Sequence, residues 1–178
     1  GVYSGLADQL RRVATLIAGR NELGVRRHLF FAAMGGYDTH ASQRGELWSR
    51  YDELGPALAA FQRALDALGV AAEVTTFTLS DFNRTFRVNA NAGTDHAWGS
   101  HQIVMGGAVK GGTFYGTFPT LAIGGPDDAG DEGQWIPTTA LDQVGATLAR
   151  WFGVPPADLP QVFPNLGAFA TPDLGFLT

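Results

Sequence analysis

An α/β fold with a mainly parallel central sheet, built on a βαβ core and finished by an irregular C-terminal arm, is what this sequence of 178 residues predicts. Three observations carry that prediction. Residues 28–33 (HLFFAA) are a short apolar run between an arginine pair and Gly35-Gly36, the pattern of a strand buried on both faces. Leu47, Tyr51, Leu54, Leu58, Phe61, Leu65 and Leu68 then recur at helical spacing, over a stretch long enough to cross back to a parallel neighbour. Residues 74–79 are a second β-rich run, and strand, helix, strand in that order gives a right-handed βαβ unit.

Taken in order, Leu6, Leu10, Val13, Leu16 and Ile17 share a helical face, so an amphipathic helix opens the chain and ends among Gly19 to Gly24. Pro56 predicts a kink or a fresh start within the long helix of 46–68, and Gly69 its stop. Residues 102–109 are apolar around Gly106-Gly107, and 114–123 alternate aromatic and aliphatic side chains, which suggests short strands or an extended arm. The Gly- and Asp-rich stretch 124–133 reads as an exposed loop. A helix follows from Pro137 to Gly153 with Val144, Leu148, Trp151 and Phe152 on its inner face, and the Pro- and Phe-rich tail reads as packed coil.

The length and near-zero mean hydropathy suit one domain spanning residues 1–178, because a chain of this size buries roughly 70% of its unfolded surface. A formal charge of -5 leaves no cationic footprint for nucleic acid. No run reaches the roughly 18 apolar residues of a membrane span. Cysteine is absent, so thiolate chemistry and disulfides are excluded and any metal must be held by His, Asp or Glu. Starting at Gly1 rather than Met, the chain reads as a piece of a longer polypeptide.

Chemistry is concentrated behind the two predicted strands. Gly35-Gly36 turns the backbone, and Asp38 and His40 are among the first side chains beyond the turn. Behind residues 74–79 come Asp81, Arg84, Asp95, His96 and His101 within about twenty positions, where parallel α/β proteins place reactive groups. Carboxylates and imidazoles suit a hard or borderline divalent cation, and a guanidinium fork suits phosphate or sulfate oxygens. Plain alternatives stand beside each: a turn cap for Asp38, a helix start for His40, a turn for Asp95-His96, a backbone hydrogen bond for His101 and a surface ion pair for Arg84. His28, beside the arginines, reads as structural or solvated. Gly106-Gly107 with Lys110-Gly111-Gly112 is too irregular for a phosphate-binding loop.

Four motifs in order, GGYDTH (35–40), TLSDFNRTFRVNANAGTDHAWGSH (78–101), GGAVKGGTFYGTFP (106–119) and IPTTALDQVGATLARWFGV (136–154), resemble the C-terminal half of the bacterial domain-of-unknown-function 1501 proteins. The resemblance implies a partial alkaline-phosphatase-like sandwich within the alkaline phosphatase and sulfatase superfamily. It also implies metal-assisted hydrolysis of phosphate or sulfate esters, and export to the periplasm or cell surface, since many members carry twin-arginine signals. The implied cofactor is a divalent metal ion, Zn, Mg, Mn or Ca.

By that resemblance Asp38 and His40 look like the superfamily's first metal pair, at tighter spacing than its usual Asp-x-x-x-His. Asp81 sits where a later Asp-His pair belongs, with Phe82 in the place of its His. Asp95-His96 is the alternative for that pair, and His96 or His101 for the His that completes the first site. Arg84 is the implied anion clamp. The superfamily's nucleophile lies in opening strands that these motifs do not include, so the N-terminal half of the same fold is expected from a companion chain or a second copy. The alternative expectation is a binding or assembly subunit that keeps the fold without turnover.

Overall fold

The computed structural model describes residues 5–178 and shows a mixed α/β chain with two small antiparallel sheets. By its internal contacts it divides into two compact units. The first takes the described residues up to Val74 together with Arg87–Asp95. The second takes Thr75–Phe86 and His96–Thr178.

The first unit is a helical pair. Helix α1 (Leu6–Ala18) buries Leu6, Leu10 and Ile17 of the face that its spacing predicts, with Val13 half-buried, whereas Leu16 lies at its edge and is exposed. A short helix α2 (Arg20–Leu23) stops at Gly24, whose φ of 64° is left-handed. Helix α3 (Gln43–Ala67) buries Ala57, Phe61 and Leu65, one residue per turn, against α1. The prediction of a new segment at Pro56 is corrected: α3 continues through it as one helix of 25 residues. Proline removes the bond to the Asp52 carbonyl, at a residue that is exposed to solvent. The predicted stop holds. Gly69 has a φ of 69°, its N–H donates to the Asp66 carbonyl, and the Val70 N–H donates to that of Leu65. This closes the helix in a Schellman turn whose two hydrophobic positions, Leu65 and Val70, are the largest fully buried side chains among the described residues.

Residues 28–33 correct the sequence reading most. They form no strand, and no ladder includes them. One backbone pairing is present: Gln9 donates from Nε2 to the Ala33 carbonyl at 2.8 Å and accepts from the Ala33 N–H at 2.9 Å. The side-chain amide of α1 thus takes the place of a neighbouring strand. Ala32 and Met34 pack on the α1–α3 core, while Leu29 (80% exposed) and Phe31 (89%) face solvent.

In the second unit, β1 (Thr75–Phe77) falls within the predicted run but pairs antiparallel with β4 (Val104–Gly106). Strand β2 (Asn83–Arg84) pairs antiparallel with β3 (His96–Ala97). Among the described residues no parallel pair forms, so the expected βαβ unit is absent. Residues 114–123 contain no strand. Helix α4 (Leu141–Phe152) starts later than Pro137 and ends at Gly153, φ 103°. Its most buried side chains are Gln143, Ala146 and Thr147, and the predicted inner face is only half-buried. The reason is polar. Gln143 donates to the Thr171 carbonyl, and the Thr147 hydroxyl accepts from the Leu174 N–H, so this face pins the tail by hydrogen bonds. Ala146 packs with Leu159 of α5 (Leu159–Val162) and with Leu166.

Stretch 124–133 is a loop, as its composition suggests, and most of it is exposed or half-buried, but it is ordered from within. It folds around the buried Asp128 carboxylate, which accepts from the N–H groups of Gly124, Gly130, Gly133 and Gln134. Burial alone would raise this acid, but the four donors outweigh it and pull the pKa from 3.8 to about 2. The folded value lies below the unfolded one. The stabilisation is therefore complete above pH 3.8 and is lost as pH falls toward 2. Asp128→Asn replaces one acceptor oxygen by a donor. It is expected to lower the chain's stability at neutral pH, with the gap to wild type narrowing between pH 4 and 2. Urea titrations at several pH values measure this, and a constant gap would refute it.

Candidate functional site

In the first unit the GGYDTH loop meets the segment Arg87–Asp95. The Thr94 N–H donates to the Thr39 carbonyl, Ala41 and Ala92 form an antiparallel bridge, and the N–H groups of Ser42 and Gln43 donate to the Asn91 and Ala92 carbonyls. Asn89 organises the return. Its Oδ1 accepts from the N–H groups of Asn91 and Gly93, an Asx turn, and its Nδ2 donates to the His40 carbonyl at 3.1 Å. This register sets Asp95 against His40, 55 positions away in sequence.

The imidazole of His40 lies between two acids. Its Nε2 is 2.9 Å from Asp38 Oδ1, and its Nδ1 is 3.1 Å from Asp95 Oδ1. A neutral imidazole has one N–H and one lone pair, so it can donate to only one of these carboxylates. The second contact needs a positive charge between nitrogen and oxygen, either a second ring proton or a bound cation. All three side chains are at least half exposed and open to solvent. Behind them, the Tyr37 ring meets that of Tyr51 edge-on, and burial, followed by the neighbouring Tyr51, pushes its phenol above 10.0. Tyr37 therefore stays protonated at neutral pH.

The second unit holds the other residues that the sequence singled out. The β2–β3 register pairs Arg84 with His96. Phe82, in the position where the superfamily resemblance expects a His, stacks on His96 with centroids 4.2 Å apart and planes 5° from parallel. The Arg84 guanidinium lies 5.7 Å from the same ring. This unit therefore gathers Arg84 and His96 around an aromatic plate. His101 stacks on Phe118 at 4.9 Å, and Asp81 is exposed in the turn that the Ser80 hydroxyl closes on the Phe82 carbonyl. His28 is exposed and meets Phe30 edge-on.

One residue that supports the cluster was not legible as such. Asn89 had a signal, since Asn-x-Asn-x-Gly is turn chemistry, but its hold on His40 depends on a contact 49 positions away.

Fold and site together define a mixed α/β protein with a solvent-open Asp–His–Asp cluster built on a loop-to-loop bridge. Residues 8–141 match the model of the family described as "Protein of unknown function (DUF1501)", and the chain belongs to that family. No curated protein and no solved structure matches it.

Proposed function

We propose that this chain is the C-terminal part of an exported, metal-dependent hydrolase of phosphate or sulfate esters, with Asp38 and His40 holding a divalent cation. The observation that carries the reading is the pair of carboxylates on one imidazole. With Asp95 accepting from Nδ1–H, the lone pair of Nε2 is directed at Asp38 Oδ1. Two ligand atoms on one cation at about 2.1 Å lie about 3.0 to 3.4 Å apart, close to the 2.9 Å between these two. Asp95 then acts as the outer carboxylate that fixes the tautomer of a ligating histidine, a recurring partner in metal sites. The donor set therefore fits a divalent ion.

When bound, that ion supplies Lewis acidity toward an ester oxygen and lowers the pKa of a water. The chain's own residues hold and orient. Asn89 and the Ala41–Ala92 bridge fix His40 and Asp95, and the exposure of the cluster admits a polar substrate. Asp81, His96 and His101 as further ligands and Arg84 as anion clamp belong to the same proposal, as do the periplasmic or cell-surface location and the mainly parallel, alkaline-phosphatase-like sheet. What supports them is the superfamily resemblance of the motifs they sit in.

A specific observation favours a companion polypeptide. Residues 28–33 are apolar and ladderless, with Leu29 and Phe31 in solvent, as a sheet strand is when its neighbours are supplied from elsewhere. The same observation supports the second reading, a binding or assembly subunit without turnover. Metal content separates the two. The purified chain is expected to retain a divalent ion through dialysis, to melt lower in chelator, and to hydrolyse an aryl phosphate or sulfate only with the ion restored. At an ion concentration of 100 times Kd, binding adds about 2.7 kcal/mol of stability. No retained metal with an unchanged Tm would sink the hydrolase reading.

A further inference from the structure

In the first unit, a cavity of about 270 Å³ is walled by Leu6, Met34, Gly35, Gly36, Arg50 and Glu53. Arg50 is half-buried, and its Nε is fully buried without a hydrogen-bond acceptor among the described residues. Its nearest acid is Glu46, with Nη2 3.7 Å from Oε2, beyond hydrogen-bond distance. Buried polar groups in folded proteins are paired, so a cavity-lining arginine whose buried Nε is orphaned and whose Nη2 has no acid within hydrogen-bond distance is a guanidinium with donors to spare. Gly36 makes room for the guanidinium itself, which packs against its backbone. Its φ of 90° suits glycine, and a Cβ there would stand 2.6 Å from Arg50 Nε.

We infer that Arg50 and the Gly36 backbone form a binding site for a singly charged oxyanion, a sulfate monoester or a phosphodiester. A planar fork of donors matches sulfate or phosphate oxygens in pairs. Charge sets the preference between ester classes. Glu53 stands on the same wall, and although its Oε1 accepts from the Leu6 N–H at 2.7 Å, it adds negative potential. One guanidinium beside one carboxylate suits one negative charge better than two, so the dianion of a phosphate monoester is disfavoured. Asp38 follows Gly36 by two residues, which holds their Cα atoms within about 7 Å of each other. As an anion site this stands on its own geometry; as the seat of the scissile ester it rests on the hydrolase reading above.

The test uses the whole chain in chelator, so that loss of the cation reading leaves its outcome intact. Methyl sulfate, dimethyl phosphate and methyl phosphate are titrated at pH 8 while the Arg50 Nε–Hε resonance is followed by NMR. Either monoanion is expected to move that resonance saturably, and which of the two binds more tightly names the ester class. Methyl phosphate is expected to bind severalfold more weakly. Arg50→Gln should weaken monoanion binding by about tenfold or more, and Arg50→Lys should restore part of it. Circular dichroism checks that the variants fold, and if they do not, the wild-type resonance decides. An Arg50 resonance that no anion moves, equal binding by Arg50→Gln, or tightest binding of the dianion would each overturn the assignment.

Discussion

Substitution of His40 by alanine is expected to abolish divalent-ion retention, and Asp95→Asn to weaken it by about 10- to 100-fold, the usual cost of losing the carboxylate behind a metal-bound histidine. The difference follows from the geometry. His40 presents Nε2 to Asp38 at 2.9 Å, whereas Asp95 touches only the opposite nitrogen, at 3.1 Å. Loss of His40 removes a donor atom. Asparagine at 95 keeps the size and one acceptor oxygen but removes the charge that holds the Nδ1 proton in place. Asp38→Asn should fall with His40→Ala rather than with Asp95→Asn. Ester hydrolysis is expected to follow the same order. Metal content by elemental analysis, with binding isotherms for the three variants, tests the ordering. Equal losses in Asp95→Asn and His40→Ala would make Asp95 a direct ligand instead. Unchanged metal content in all three would remove the cluster from consideration.

Much of this arrangement was legible in the sequence where local chemistry decides it. The 3.6-residue spacing of Leu6, Leu10 and Ile17, and of Leu54, Leu58, Phe61 and Leu65, marks the helices and their core-facing sides, although Leu16, Tyr51 and Leu68 of the same patterns are exposed. Gly69 and Gly153 mark two helix ends because only a left-handed residue closes them cheaply. Asp38 and His40 stand out because two glycines and a turn precede them. Partnership was not legible. HLFFAA reads as a central strand because apolar residues on both faces call for neighbours, yet whether neighbours come from this chain or another is written nowhere in those six residues. The antiparallel pairing of β1 with β4 is likewise a choice between distant segments. Asp128 looks like one more acid in a Gly- and Asp-rich loop, and only the folded backbone shows four N–H groups converging on it. On α4, Gln143 and Thr147 are the most buried polar side chains, because the tail needs donors and acceptors more than it needs a hydrophobic stripe.

Gly93→Ala is expected to disable the cluster without touching any of its polar side-chain atoms. Gly93 is buried where the return loop crosses the GGYDTH segment, and a Cβ there would overlap the carbonyl carbon and oxygen of His40 and the nitrogen of Ala41. These are main-chain atoms held by the Ala41–Ala92 bridge and the Asn89 turn, so no side chain can swing aside. The loop must move, and Asp95, two residues on, moves with it. Overpacking of this kind costs about 1–3 kcal/mol of stability, and the ion affinity should drop at least as far as in Asp95→Asn. Gly55→Ala supplies the control. It lies inside α3, nothing stands within 4 Å of the place its new methyl group would take, and alanine there should be neutral or stabilising by about 0.5–1 kcal/mol. Thermal melts and ion-binding isotherms of the two variants side by side separate a local steric effect from a general intolerance of added methyl groups. If Gly93→Ala matches wild type in both, the close approach of the two segments does not position Asp95, and the tautomer argument for His40 loses its structural support.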